Sequence, residues 1–192
     1  MNKRRYSNRR RKNILRVFIL LMTIIITVVM WRTIKLTELS NGKKVDSRIY
    51  PELQQMFNDA RAEGLALFVR EGYRTTKNYG RENQWIWKTR IFCERSKKRA
   101  EKYVAIPDTS EHQLGLSVDI NADTDKYSSE KVYQWLDENA YKYGFVKRYP
   151  EDKTDITGIS NEPWHYRYVG TTVAKIMKEE NLCLEEYLEK YK

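Results

Sequence analysis

Each of the two histidines in the chain lies near a carboxylate in the sequence. His112 belongs to the segment Ser110–Asp119, which reads S-E-H-Q-L-G-L-S-V-D, and His165 follows Glu162 by three residues in E-P-W-H-Y-R-Y. Two neutral imidazoles and one carboxylate are a ligand set for catalytic zinc, which takes three protein ligands and leaves one position open for water. The sequence therefore predicts a metal site formed by His112, Asp119 and His165, with Glu162 left to act as a base.

The residues around Asp119 alternate in polarity, as expected of a β-strand with one buried face. Val118 and Ile120 are apolar and flank Asp119, so the Asp119 side chain is predicted to point away from the buried face. Gly115 has no side chain, and the backbone can turn there. Such a turn would bring His112 back towards Asp119.

A second strand is predicted to carry His165. Trp164 and Tyr166 share one parity, while His165 and Arg167 share the other, and Pro163 suits the start or the edge of a strand. A histidine taken alone is more often a surface or hydrogen-bonded core residue than a metal ligand. The combination of H-x6-D with a later E-x-x-H favours the metal site.

Four motifs occur in a familiar order. They are G-Y-R-T at 72–75, T-S-E-H-Q-L-G-L-S-V-D-I-N-A-D at 109–123, Y-G-F-V-K-R-Y-P at 143–150 and N-E-P-W-H-Y-R-Y-V-G at 161–170. These four motifs, in this order, make residues 50–192, roughly, resemble the VanY-type D,D-carboxypeptidases. That group belongs to the zinc peptidase superfamily of lysostaphin-type enzymes, D-alanyl-D-alanine peptidases and hedgehog amino-terminal domains.

The resemblance implies a zinc-dependent carboxypeptidase with Zn²⁺ as its cofactor and Glu162 as its catalytic base. It assigns the recognition of the substrate's terminal carboxylate to Arg74 and Ser110, and a guanidinium fork is well shaped for that task. The implied substrate is the D-alanyl-D-alanine end of a cell-wall peptide. Its removal would deny glycopeptide antibiotics such as vancomycin their target.

Two alternatives remain open at this point. One is an L,D-carboxypeptidase that trims tetrapeptide stems, and the other is a zinc-holding homologue with impaired catalysis. The second arises because residues 77–98 depart from the family pattern, with Tyr79 where relatives usually have glutamine and Gly80 interrupting the helical pattern. Asp108 and Ser117 are milder departures. This segment is predicted to alter one wall of the substrate pocket.

The positive charge is concentrated at the amino terminus. The chain has a formal net charge of +10, yet residues 46–192 carry 24 basic and 25 acidic residues, a net charge of −1. A nucleic-acid-binding domain is therefore disfavoured, although a high isoelectric point alone would suggest one.

An apolar stretch follows the basic run. Residues 14–31 would span about 27 Å as a helix, just enough for a hydrocarbon core of about 30 Å. Residues 1–13 are then predicted to be a cytoplasmic tail, 14–31 an uncleaved transmembrane anchor rather than a signal peptide, 32–50 a tether, and 51–192 an extracellular catalytic domain.

The fold class predicted for this domain is α+β, with a small antiparallel sheet bracketed by helices. Helices are predicted from Pro51 to Gly64, from Ser128 or Ser129 to about Tyr143, and over about 171–180 and 182–191; strands are predicted at 65–69, near 116–121 and at 145–149. Cys93 and Cys183 are predicted to be unpaired thiols, and no third histidine is available as the base for a cysteine nucleophile.

Overall fold

The computed structural model describes residues 34–74, 87–106, 109–122 and 126–192. Within them, Lys35–Lys192 forms one compact unit. The strands are β1 (Leu36–Glu38), β2 (Lys44–Asp46), β3 (Leu67–Glu71), β4 (Ser117–Ala122), β5 (Phe145–Lys147) and β6 (His165–Tyr168). The α-helices are α1 (Tyr50–Ala62), α2 (87–94), α3 (Lys97–Ala100), α4 (Ser129–Asn139), α5 (Thr154–Thr157), α6 (Thr171–Glu179) and α7 (Leu184–Lys190).

Strands β3 to β6 form one antiparallel sheet with the spatial order β3-β4-β6-β5. Strands β1 and β2 form a separate two-stranded hairpin. Helices accompany the sheet throughout the sequence, which confirms the predicted α+β class.

The hydrophobic core lies on one face of the four-stranded sheet. Helix α1 begins with Pro51 in its first turn, where a missing N–H costs nothing, and buries one apolar stripe. Ser128 accepts a hydrogen bond from the Lys131 N–H and caps α4. The core residues from both helices and the sheet are Leu53, Met56, Phe57, Ala60, Val69, Val118, Ile120, Trp135, Leu136 and Tyr166.

The polar side chains of β4 and β6 lie on the other face of the sheet, away from the core. Asp119 faces away from Val118 and Ile120, as predicted, and His165 faces away from the fully buried Tyr166. The strand predicted at 65–69 begins later, at Leu67, because the Leu65 N–H bonds back to the Ala60 carbonyl at the end of α1.

Much of the predicted tether at 32–50 is instead part of the folded domain. Strands β1 and β2 pair within it, and Val45 and Ile49 are fully buried in the core. The Asp46 N–H donates to the Gly115 carbonyl at 3.0 Å. The stretch is polar overall, and its two buried apolar residues, Val45 and Ile49, were therefore not recognised in the sequence. The folded domain begins at about Lys35.

The predicted tail at 1–13 and anchor at 14–31 lie outside the described residues. Among the residues that are described, no helix is long and apolar enough to cross a membrane. Cys93 is exposed, Cys183 is buried and both are free thiols, which confirms that they are unpaired.

Candidate metal centre

Asp119 and His165 are brought together by the pairing of two strands. They are directly opposite each other in the antiparallel register of β4 and β6. Because facing residues in such a pair lie about 4.5–5.5 Å apart, their side chains meet on the polar face of the sheet. Asp119 Oδ1 lies 3.1 Å from His165 Nδ1.

His112 reaches the same point from a 3-10 turn, Glu111–Leu114, that precedes β4. Gly115 ends this turn with a φ of 71°, a left-handed conformation that favours glycine. The His112 Nδ1–H donates to the Gly72 carbonyl at 2.9 Å. That bond leaves the Nε2 lone pair facing Asp119 Oδ1 at 3.5 Å.

The three side chains fit a tetrahedral metal ion. One ligand atom from each of His112, Asp119 and His165 lies within 4.8 Å of the others. Ligands at zinc distances with tetrahedral angles would be about 3.3 Å apart, close to the two separations from Asp119 Oδ1. This oxygen is buried and has no hydrogen-bond partner among the described residues, so it is oriented as a ligand rather than as an acceptor.

The electrostatics of the site also favour a cation. Burial raises the pKa of Asp119, but His112 and His165 hold it well below its usual value. Burial lowers the pKa of His165, yet Asp119 and Glu111 outweigh this effect and raise it to about 9. The cluster therefore attracts positive charge, and a divalent cation would take the place of the His165 proton.

Glu162 lies beside the candidate ligands without being one of them. Its Oε2 is 3.7 Å from His165 Nδ1, and its side chain is 18% exposed. Burial raises the pKa of Glu162; His165 opposes this shift while Asp119 and Glu111 add to it, and the result is about 7. A carboxyl group with this pKa exchanges protons readily near neutral pH.

A pocket of about 280 Å³ opens onto the cluster. Arg74 and Ser110 line it together with the three candidate ligands and Glu162, so all six predicted site residues meet in one cavity. Arg74 follows β3, its N–H donates to the His112 carbonyl, and its Nε lies 3.3 Å from Glu71 Oε2. Ser110 is 7% exposed.

The rest of the pocket is mainly apolar and aromatic. One side comes from the turn after α3, and the other comes from the connection between β5 and β6; these residues are Tyr103, Val104, Ala105, Tyr149, Ile159 and Trp164. The Tyr149 ring lies 5.2 Å from that of His165. The sequence motifs contain Tyr149 and Trp164, but nothing in them indicated that both residues would line the pocket.

Part of the segment that departs from the family pattern can be located. Tyr79, Gly80 and Asp108 lie outside the described residues. Residues 87–94 are helical, and Phe92 on this helix is 84% exposed. The continuation of the segment carries Tyr103 into the pocket wall.

Glu111 is a site residue that sequence reasoning missed. It lines the pocket, and its Oε2 lies 3.7 Å from His165 Nε2. Burial raises the pKa of Glu111, but the contacts with His165, Arg148 and Arg167 hold it well below its usual value. The only available signal was its position next to His112, because its partners come from distant segments.

An α+β domain with a His-Asp-His cluster and an adjacent glutamate in an open pocket has the arrangement of a zinc peptidase. Comparison with known proteins refines this class. The VanY family profile, described as D-alanyl-D-alanine carboxypeptidase, matches residues 42–171. The chain belongs to the VanY family.

The most informative relatives agree with this assignment. A D-alanyl-D-alanine carboxypeptidase of Enterococcus faecalis is 52% identical over 159 residues, covering 81% of this chain and 59% of that protein. The structure of VanYB in complex with D-alanine-D-alanine matches with a TM-score of 0.78 and 49% identity, covering 83% of this chain and 91% of that one.

A third comparison concerns the metal. A VanY D,D-pentapeptidase variant from a VanB-type resistance cassette, solved in complex with Zn(II), matches with a TM-score of 0.75 and 50% identity over 81% of this chain and 90% of that one. The chain spans about half to three fifths of the length of the Enterococcus faecalis protein and two further curated relatives.

Proposed function

We propose that this protein is a zinc-dependent D,D-carboxypeptidase that removes the terminal D-alanine from cell-wall peptides ending in D-alanyl-D-alanine. The observation that carries the proposal is the convergence of His112, Asp119 and His165 in the pocket that also contains Glu162. The family and the D-alanine-D-alanine bound to VanYB support the choice of substrate. Such an activity would remove the target of glycopeptide antibiotics.

The candidate ligands and Glu162 divide the chemistry between them. His112, Asp119 and His165 would hold the zinc ion, which would supply Lewis-acid chemistry that makes water more acidic and polarises the scissile carbonyl. Glu162 accepts the proton of the attacking water and passes it to the leaving amine. The burial that raises the pKa of Glu162 favours its transient protonation during this transfer.

Arg74 and Ser110 recognise the end of the substrate. The Arg74 guanidinium can clamp the terminal carboxylate with two parallel hydrogen bonds. Ser110 supplies a hydroxyl from the same pocket. A clamp that holds the terminal carboxylate at a fixed distance from the metal site places the last peptide bond there, so this contact determines which bond is cleaved.

The amino-terminal segment completes the proposal. The basic residues at 3–12 and the apolar stretch at 14–31 support a single-pass anchor with a cytoplasmic tail. The domain from about Lys35 would then face the cell wall. Accessibility of a tag at each end to external protease in intact cells tests this topology, and digestion of the amino-terminal tag would contradict it.

The activity is tested with the 192-residue chain by following D-alanine release from a pentapeptide stem and from a tetrapeptide stem. Zinc-loaded protein, chelated protein and the Glu162→Gln variant are compared. Zinc-dependent release from the pentapeptide alone supports the proposal. Release from the tetrapeptide alone indicates an L,D-carboxypeptidase, and no release from a folded, zinc-containing chain indicates an impaired homologue.

A further inference from the structure

His165 has a second ring nitrogen, and this atom faces Glu111. While Nδ1 is directed towards Asp119, Nε2 lies 3.7 Å from Glu111 Oε2. Nε2 is buried and has no hydrogen-bond partner among the described residues. A buried ring N–H requires an acceptor. Glu111 Oε2 lies at ion-pair distance from Nε2 and is positioned to be that acceptor.

The Glu111 carboxylate is held in place by three groups. Arg148 Nε donates to Oε1 at 2.8 Å, and Ser117 Oγ donates to Oε2 at 3.0 Å. Arg167 Nη1 lies 3.5 Å from Oε2. The Glu111 side chain is only 16% exposed, so these contacts are little weakened by solvent. They neutralise the carboxylate and direct Oε2 towards His165.

Arg148 connects Glu111 to the carboxy-terminal helix. Its Nη1 and Nη2 donate to the two carboxylate oxygens of Glu185 at 2.9 and 2.6 Å. This is the bidentate geometry that a guanidinium favours. Glu185 lies in the first turn of α7, beyond the residues 42–171 that match the family profile. One arginine, whose side chain is 11% exposed, thus joins the last helix to the candidate metal centre.

We propose that Glu111 is a positioning residue that receives the Nε2–H of His165 and so keeps the Nδ1 lone pair directed at the metal. Arg148, anchored by Glu185, holds Glu111 in this position. The inference rests on the proposed zinc site. Outer carboxylate partners of histidine ligands fix the ring orientation and make the imidazole a better ligand.

The test compares three single variants of the 192-residue chain and the double variant Glu111→Gln/Glu185→Gln. Glu111→Gln keeps the shape of the side chain but removes its charge, and Glu185→Gln removes the anchor of Arg148. Glu186→Gln is the matched control, because Glu186 lies on the same helical turn and its own ion pair, with Lys153, does not lead to the metal centre. The zinc dissociation constant is measured by competition with a chromophoric chelator. Thermal unfolding without metal reports on folding.

Glu111→Gln is expected to raise the zinc dissociation constant by about 10- to 100-fold. Glu185→Gln is expected to raise the zinc dissociation constant by a smaller factor. In a chain that already carries Glu111→Gln it should have no further effect, because Glu185 acts on the zinc site only through Glu111. Glu186→Gln stays within about twofold of the parent. The visible absorption of the cobalt-substituted protein changes in Glu111→Gln, which a purely structural role would not produce.

A folded Glu111→Gln chain that binds zinc within about twofold of the parent overturns the inference. If Glu111→Gln does not fold, equal zinc constants for Glu185→Gln and Glu186→Gln overturn it instead. A parent chain that binds no zinc overturns the proposed function as well, so the two failures are distinguishable.

Discussion

The two sides of the pocket are built in different ways. The side that carries Asp119 and His165 rests on the register of β4 and β6, where each residue is fixed by strand pairing. The side that carries Tyr103 follows α3, and its described backbone hydrogen bonds mainly join residues three or four positions apart. Lys102 ties this second side to the first by accepting a bond from the Ser160 N–H.

Burial differs in the same way. His112 and His165 are 5% and 6% exposed, whereas Tyr103 is 45% exposed. Groups that perform chemistry need fixed geometry and a dry environment, while groups that contact a variable substrate do not. The comparison predicts that the sheet side, which carries Asp119 and His165, controls kcat. The α3 side, which carries Tyr103, is predicted to control the affinity for substrate.

The largest effect is expected from Glu162→Gln. Loss of the proton acceptor should lower kcat by about 10²- to 10⁴-fold, the usual contribution of a general base. Zinc content should remain stoichiometric, because Glu162 is not one of the clustered ligands. Glu151→Gln, a change at an exposed glutamate, is the control. Retention of more than a tenth of the parent kcat would assign the base to another group.

Arg74→Ala should lower kcat/KM by about 10- to 100-fold, since hydrogen bonds to charged groups are worth about 1.5–3 kcal/mol. Arg74→Lys should recover little because an ammonium cannot form the bidentate contact. A substrate with an amidated terminus should be poor for the parent enzyme and no worse for the variant. Arg70→Ala, at an exposed position of β3, controls for lost charge. If the parent and Arg74→Ala preferred the free-acid substrate over the amidated one by the same factor, the carboxylate clamp would be refuted.

Tyr103→Ala tests the α3 side of the pocket. It removes aromatic contact area worth about 0.5–1.5 kcal/mol, so KM should rise by about two- to tenfold while kcat stays near that of the parent. Phe92→Ala in the same segment is the control, because this ring is 84% exposed and should have no effect. A fall in kcat with an unchanged KM would show that both sides of the pocket serve the chemistry.

The smallest effect on turnover is expected from Val45→Ala in the β1-β2 hairpin. Removing two buried methyl-sized groups costs about 2 kcal/mol of unfolding free energy, because Val45 is fully buried in the core. Chemical denaturation measures this loss, and Ser40→Ala at an exposed turn is the control. Unchanged stability would restore the interpretation of this stretch as a tether.

Sequence patterns were sufficient wherever local periodicity carried the information. The alternation around Asp119 predicted the strand, its buried face and the outward direction of the carboxylate. Pro51 and the apolar stripe after it predicted α1. The tether prediction failed because two buried residues, Val45 and Ile49, are too few to produce a periodic signal in a polar stretch.

The amino-acid sequence alone predicted the candidate donor set of His112, Asp119 and His165 and the neighbouring Glu162, and it indicated the α+β class and the family. It could do so because residue type and short spacing specify the available chemistry and the secondary structure.

Only the tertiary structure decided which nitrogen of each histidine faces Asp119, how the hairpin supports the turn at Gly115, and how Glu111 is linked through Arg148 to Glu185. These features depend on strand register, on burial and on contacts between residues far apart in the sequence, 40 positions apart for His112 and Gly72 and 37 for each bond of Arg148. No local pattern records them, because the energy of a buried charge or ring nitrogen is set by whichever groups the fold places beside it.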